Sequence, residues 1–254
     1  MRFVVSDWLE DFSAATAFLT RIPVPPRDRP PNLARAYRAF PLLGAGIGAS
    51  IGALYLLLLR AGLPAIAAAA LVLGAGALLT GALHEDGLAD IADGFGGGRD
   101  KAAKLEVMRD SRLGTYGVLA LLTGFVARAG ALAALPRTGV VLAMMATHAL
   151  ARAPLAVLAA TMPCARTDGL AASAGRPDSL IALTACVLAI AVAFLALPVS
   201  SAITAVFVTA VGAASLAALA QQQIGGQTGD VLGAVEQVCE VAVLLTLAAR
   251  AVQV

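Results

Sequence analysis

Seven stretches of this chain, roughly 42–59, 63–83, 116–135, 139–161, 180–199, 201–219 and 231–252, consist almost wholly of Ala, Leu, Val, Gly and Ile. Each approaches the ~20 apolar residues that a helix needs to cross a bilayer. The joints between several of them are short: Arg60 to Pro64, Pro136 to Gly139 and Pro198 to Ser201. The sequence therefore predicts an all-α, polytopic membrane helix bundle with about seven transmembrane helices, a single integral membrane domain over 1–254. Hydrophobic residues make up 59% of the chain, charged residues 13%, and mean hydropathy is +0.85. A soluble domain has about 45–50% apolar and 25% charged residues.

Small residues dominate the spans, which lets helices approach closely and pack by van der Waals contact. Gly44, Gly48 and Gly52 form such a stripe. Packing within the monomer is its expected use, and contact within a homo-oligomer the alternative. Orientation follows from Lys and Arg asymmetry. One side receives residues 1–41, the 84–115 segment and the 162–179 loop, and these carry thirteen of the 18 basic residues. Among them are Arg2, Arg21, Arg27, Arg29, Arg35 and Arg38. The opposite side has only Arg60, Arg137 and Arg250; Arg128 and Arg152 fall inside spans. The basic side is expected to face the cytoplasm. A net charge of +2 without a long basic patch gives no reason to expect nucleic-acid binding. Asp7, Glu10 and Asp11 interrupt the N-terminus where a signal peptide would be apolar. Residues 5–19 read instead as an interfacial amphipathic helix with Trp8 near the headgroups. Pro23, Pro25 and Pro26 then oppose its continuation. Cys164, Cys186 and Cys239 show no CxxC spacing, so neither a zinc site nor a redox pair is indicated.

Against this apolar background, His84-Glu85-Asp86-Gly87-Leu88-Ala89-Asp90-Ile91-Ala92-Asp93-Gly94 packs four acids into eleven residues. Ionised groups beside lipid are expensive and persist where they face a polar cavity, pair, or bind an ion. On a helix, Asp86, Asp90 and Asp93 would point within roughly 60° of one another. Three hard oxygen ligands on one face suit a divalent cation such as magnesium. The bland reading is a solvated loop with a capping aspartate. Gly94, Gly96, Gly97 and Gly98 follow, and glycine-rich backbone can approach phosphate oxygens. The combination points to a metal-bound diphosphate, with the 84–115 segment as a cytoplasmic acidic catalytic region.

Two further constellations carry chemistry. Met108 to Gly117 holds Arg109, Asp110, Ser111, Arg112 and Thr115 just before a span. Arginine is well suited to phosphate, whereas Lys101 and Lys104 read as membrane anchors. Gly225 to Asp230 precedes Glu236 and Glu240, which share a helix face. An acid within a span is a functional candidate by default. Asp230 also fits a helix cap, and Glu240 also fits pairing with Arg128 or Arg152. His148 lies mid-span as a core residue. His84, touching the acidic segment, is a catalytic candidate.

Taken together, these blocks resemble the adenosylcobinamide-GDP ribazoletransferase, or cobalamin synthase, family. The resemblance runs through Phe18 to Pro25, Phe40 to Gly44, and His84 to Gly94 with the pattern H-x-D-G-L-x-D-x-x-D-G. It continues through Met108 to Gly117, Pro163 to Leu170, and Gly226 to Asp230. It implies a multi-pass enzyme of the bacterial inner membrane with its active site facing the cytoplasm. Such an enzyme joins adenosylcobinamide-GDP to α-ribazole or its 5′-phosphate, releases GMP, and needs Mg2+. Asp86, Asp90 and Asp93 match the acidic positions and are the expected metal ligands, with Glu85 and Glu240 as further candidates. Arg21, Gly97, Arg109, Asp110, Arg112, Arg166 and Thr228 are the expected substrate contacts. Asp230 or His84 would accept the attacking hydroxyl's proton. Cys164 stands where an aromatic residue is expected, and the Glu236-Gln237 order departs from the family's acid position.

Two rival readings remain. A CDP-alcohol phosphotransferase would also use carboxylates on a nucleoside diphosphate. Its D-G-x-x-A-R motif is not met, because Asp90 follows Ala89. A small transporter would carry polar groups deep in several spans, where here only Arg128, His148, Arg152, Glu236 and Glu240 qualify.

Overall fold

The computed structural model describes residues 5–25, 31–169 and 173–251. Arg2, Pro26, Arg27, Arg29, Leu170 and the end of the 231–252 run lie outside them. All of the regular elements described are helical: α1 (Val5–Leu19), α2 (Leu33–Ala36), a 3-10 turn (Tyr37–Ala39), α3 (Phe40–Arg60), α4 (Ala65–Thr80), α5 (Leu83–Gly97), α6 (Lys101–Val107), α7 (Thr115–Ala134), α8 (Val140–Thr161), α9 (Ser179–Ala196), α10 (Val199–Ile224) and α11 (Gly229–Ala251). Helix is the natural outcome for such sequences, because lipid offers backbone groups no hydrogen-bond partner.

Six helical stretches are long and apolar enough to cross a membrane, the first running continuously from Leu33 to Arg60; α4 and α5 supply a seventh only as a bent pair. The 63–83 run was expected to be one straight span. It breaks at Gly81 and Ala82, both left-handed, with φ of 68° and 55°, and the two helices meet at 94°. Sixteen residues give α4 only about 24 Å of rise, short of the ~30 Å hydrocarbon core. The acidic segment is thus the second helix of a bent pair, the form of a broken span or a re-entrant element, and not a loop. Arg21 stabilises the break. Its backbone N–H donates to Leu79 O at 2.7 Å, and its guanidinium occupies the space where a side chain on residue 81 would stand.

The central helices are α8 and α11, whose span windows are 78% and 72% buried. The glycine stripe packs α3 on α8 within the monomer. Added Cβ atoms at Gly44, Gly48 and Gly52 would meet His148, Met144 and Val141 backbone. Two apolar clusters fill the bundle. One gathers Leu19, Phe40, Leu155 and Val231 to Val235; the other gathers Ile47 to Leu59, Met144, Val243 and Leu244. Between them lies a layer of buried charge.

At the basic end α1 is locked down by ion pairs. Asp11, 1% exposed, accepts from Arg35 Nε and Arg38 Nε at 2.6 Å each. Trp8, expected among headgroups, lies 4.2 Å above the Arg38 guanidinium. The N-terminal α1, the 81–115 segment, the 162–169 segment and the start of α11 all meet at this end. At the other end Arg250 Nη1 donates to Thr204 Oγ1 at 2.9 Å.

Candidate active site at the basic end of the bundle

The site is assembled by a short backbone pairing. Ala165 N donates to Gln227 O and Gln227 N donates to Pro163 O, both at 2.8 Å. Gly226 permits it, since a Cβ there would collide with Pro163 O. The pairing delivers Arg166 to the head of α11, where its Nη2 lies 3.0 Å from Asp230 Oδ2. Thr228, 1% exposed, accepts from Val231 N at 3.2 Å and donates to Asp230 Oδ2 at 3.1 Å. Thr228 therefore caps α11 and leaves the Asp230 carboxylate free for other work.

Glycines bring α5 against α11. A Cβ at Gly87 would lie 2.8 Å from Asp230 O, and one at Gly233 3.2 Å from His84 Cα. As a result Asp90 feels the negative charges of Asp86, Asp230 and Asp93, with Arg166 as the positive charge acting on it. Asp86 is exposed, and Asp90 and Asp93 are half-buried. Asp93 also has a structural task. Its Oδ2 accepts from Gly114 N at 2.7 Å and its Oδ1 from Gly117 N at 2.9 Å, so it caps α7 from a neighbouring helix. Each of its oxygens keeps a lone pair.

A cavity of roughly 230 Å³ opens beside these groups, with His84, Asp86, Arg166, Gly169 and Asp230 in its lining. His84 forms its inner edge. The imidazole is 4% exposed, and its Nδ1 lies 3.2 Å from Glu236 Oε2.

The other predicted residues are placed elsewhere. Arg109 Nη2 reaches both carboxylate oxygens of Asp168, at 2.7 and 2.8 Å, and pulls that exposed carboxyl below its ordinary range. Arg112 pairs with Asp110 at 2.6 Å and, through its hydrogen bonds, lowers that carboxyl to about 2. Neither arginine lines the cavity; both are exposed and held in ion pairs. Arg21 is exposed and engaged at the α4–α5 break. Gly97, the last residue of α5, faces open space.

Glu85 and Glu240 do not join the aspartates. They belong to the inner charged layer, where Arg128 Nη1 lies 3.4 Å from Glu85 Oε1 and 3.2 Å from Glu240 Oε1. Arg152 Nη1 pairs with Glu236 Oε1 at 2.7 Å, and His148 Nδ1 lies 3.4 Å from Glu240 Oε2. Among the described residues, His148, Glu236 and Glu240 form the cluster whose ligand atoms lie within 4.8 Å of one another. The three α5 aspartates are more widely spaced. The two guanidiniums offset two of the three inner carboxylates, and the His84 and His148 imidazoles lie against Glu236 and Glu240, so that cluster reads as an ion network.

Sequence reasoning missed three aromatic residues of the cavity: Phe18, Tyr37 and Phe40. Two of them lie in the quoted Phe18–Pro25 and Phe40–Gly44 blocks, which was the available signal. It also undervalued Glu236, which holds both His84 and Arg152.

The blocks that converge here were matched against known proteins. The family model described as cobalamin-5-phosphate synthase matches residues 11–248. The chain belongs to that family. A relative named adenosylcobinamide-GDP ribazoletransferase from Bradyrhizobium diazoefficiens is 45% identical over 246 residues, covering 95% of this chain and 94% of the relative. Proteins of the same name from Sinorhizobium medicae and Azorhizobium caulinodans are 42% and 43% identical, over 96% and 93% of this chain and 98% and 94% of theirs. No solved structure matches. Membership of the cobalamin-5-phosphate synthase family accounts for the order of the blocks, and the fold shows why that order works. Segments far apart in the chain meet at one end of the bundle.

Proposed function

We propose that this chain is an adenosylcobinamide-GDP ribazoletransferase of the bacterial inner membrane, with its site at the cytoplasmic face. It joins adenosylcobinamide-GDP to α-ribazole, or to its 5′-phosphate, and releases GMP. The observation that carries this reading is the meeting of Asp86, Arg166 and Asp230 around one cavity at the basic end, with Asp90 within reach of their charges.

In the reaction, a ribose hydroxyl attacks the phosphorus that bears the cobinamide. The new P–O bond forms, the bond to the GMP phosphate breaks, and the hydroxyl proton goes to a base. Phosphoryl transfer of this type is mainly positioning and charge neutralisation. Arg166, held by Asp230, offers a fixed guanidinium toward phosphate oxygens. Arg109 and Arg112 are exposed and paired with Asp168 and Asp110, and would reach the substrate's phosphates only by exchanging those partners. With Nδ1–H donating to Glu236, His84 keeps Nε2 as a proton acceptor on the cavity edge.

The donor set fits Mg2+. Four carboxylates, from Asp86, Asp90, Asp93 and Asp230, face one arginine, and all the donors are hard oxygens. Asp86 and Asp90 would hold the ion, with Asp93 contributing through its remaining lone pairs. Bound there, it would neutralise charge on the diphosphate. Glu85 and Glu240 are not part of this proposal.

The test is direct. The purified chain in detergent, given adenosylcobinamide-GDP, α-ribazole and MgCl2, is expected to release one GMP per corrinoid product. Absence of GMP under those conditions, with the protein folded, overturns the reading. A transport role would instead need an open polar path, and the inner charges pair with one another.

A further inference from the structure

The lining of the cavity divides by element. Phe18 comes from α1, Tyr37 from the 3-10 turn, Phe40 from the start of α3, and Leu155 from α8. α5, α11 and the 163–169 segment supply His84, Asp86, Arg166 and Asp230, together with Leu83 and Leu232. One wall is aromatic and aliphatic; the other carries all the charge of the lining. The rings brace one another. Phe18 and Phe40 stack with centroids 5.8 Å apart and planes 17° apart, and Tyr37 lies 4.7 Å from Phe40. Phe40 and Tyr37 are 1% and 2% exposed, while Phe18 is half-buried. Phe18 is therefore the ring with surface still to give. Its helix is held rigidly, since Asp11 on α1 is clamped by Arg35 and Arg38.

We infer that this aromatic wall, with Phe18 as its stacking surface, seats the planar base of the accepting nucleoside. The inference rests on the transferase reading and adds where one substrate lies. A ligand matching the cavity has a flat apolar half and a polar half that reacts. Flat heterocycles bind by stacking on aromatic rings. Three bases are present in the proposed reaction: the adenine and the guanine of adenosylcobinamide-GDP and the dimethylated benzimidazole of α-ribazole. Adenine and guanine each carry a polar edge that needs hydrogen-bond partners when buried. Apart from the Tyr37 hydroxyl, the side chains of this wall offer none. The benzimidazole has an apolar methylated edge and a single ring-nitrogen acceptor, so it meets a smaller penalty. With its base on Phe18, the nucleoside's ribose would project toward the charged wall, where the reaction occurs.

The experiment measures both KM values on the full chain in detergent micelles, for wild type, Phe18→Leu and Phe18→Trp. Loss of one base-stacking contact is expected to raise KM for α-ribazole about tenfold in Phe18→Leu while KM for adenosylcobinamide-GDP stays within about twofold. Phe18→Trp is expected to recover most of the loss. The unshifted second KM certifies that the variant is folded. Independently of any variant, free 5,6-dimethylbenzimidazole is expected to inhibit wild type competitively against α-ribazole and not against adenosylcobinamide-GDP. An unchanged α-ribazole KM, or a rise confined to adenosylcobinamide-GDP, overturns the inference and leaves the transferase reading standing. A wild-type protein that releases no GMP overturns both.

Discussion

Arg166 and Asp230 lie 64 residues apart in the chain and 3.0 Å apart in space. Their contact joins the 163–169 segment to the head of α11, and it exists because Ala165 and Gln227 pair through their backbones. Removing the guanidinium leaves Asp230 beside Asp86 and Asp90 with nothing to balance it. Arg166→Ala is expected to lower kcat/KM at least about a hundredfold, since hydrogen-bonded charge pairs on phosphate sites are among the strongest. Arg166→Lys keeps the charge but not the fork, and falls between. Steady-state GMP release checks both. Near-normal turnover in Arg166→Ala would remove Arg166 from the phosphate-binding role.

Asp90 lies among the like charges of Asp86, Asp230 and Asp93. Asp90→Asn is expected to abolish Mg2+-dependent GMP release while leaving insertion and abundance at wild-type levels. A Mg2+ titration of activity, alongside quantitation of folded protein, reads this out. Retained turnover with an unchanged Mg2+ midpoint would end the metal-ligand proposal.

Asp93 caps α7 through Gly114 N and Gly117 N. Asp93→Ala is expected to cost about 1 kcal/mol from the lost cap, visible as a lower thermal midpoint in detergent. Asp93→Asn keeps one acceptor oxygen for the two N–H donors and is expected to recover only part of that stability, and not the activity. Equal thermal midpoints in wild type and Asp93→Ala would show that the cap contributes nothing.

Glu236 is fully buried and pairs with Arg152 at 2.7 Å. Breaking a buried pair by removing one partner strands the other charge, at about 3–5 kcal/mol. Glu236→Leu is expected to lose that much, and the double variant Glu236→Leu/Arg152→Met to regain most of it. If the double variant is no more stable than the single one, the ion pair is not what holds α8 to α11.

Gly48 sits where a Cβ would overlap Met144 backbone on α8, whereas Gly46, two residues away, faces open space. Gly48→Ala is expected to destabilise the α3–α8 contact by about 1–3 kcal/mol, as overpacked cores do. Gly46→Ala is the matched control and is expected to be neutral or slightly stabilising, given alanine's higher helix propensity. Similar thermal midpoints for the two variants would contradict the packing assigned to the stripe.

What the sequence settled by itself follows from solvent. Long apolar runs must be buried or face lipid, so the helical bundle, its approximate spans and the basic end could be read directly. The acidic cluster stood out for the same reason, because a carboxylate beside hydrocarbon needs a purpose. The tertiary structure decided the rest. The α4–α5 break depends on two left-handed residues and on Arg21 arriving from another segment, which no local pattern encodes. Glu85 and Glu240 resemble Asp86 and Asp230 as sequence, yet they point into the ion network with Arg128. On a helix, a change of one residue turns a side chain by about 100°, and only packing against α7, α8 and α11 fixes what it then meets. The aromatic wall was invisible for the same reason: Phe18, Tyr37 and Leu155 share a cavity because three helices converge, not because their spacing in the chain says so.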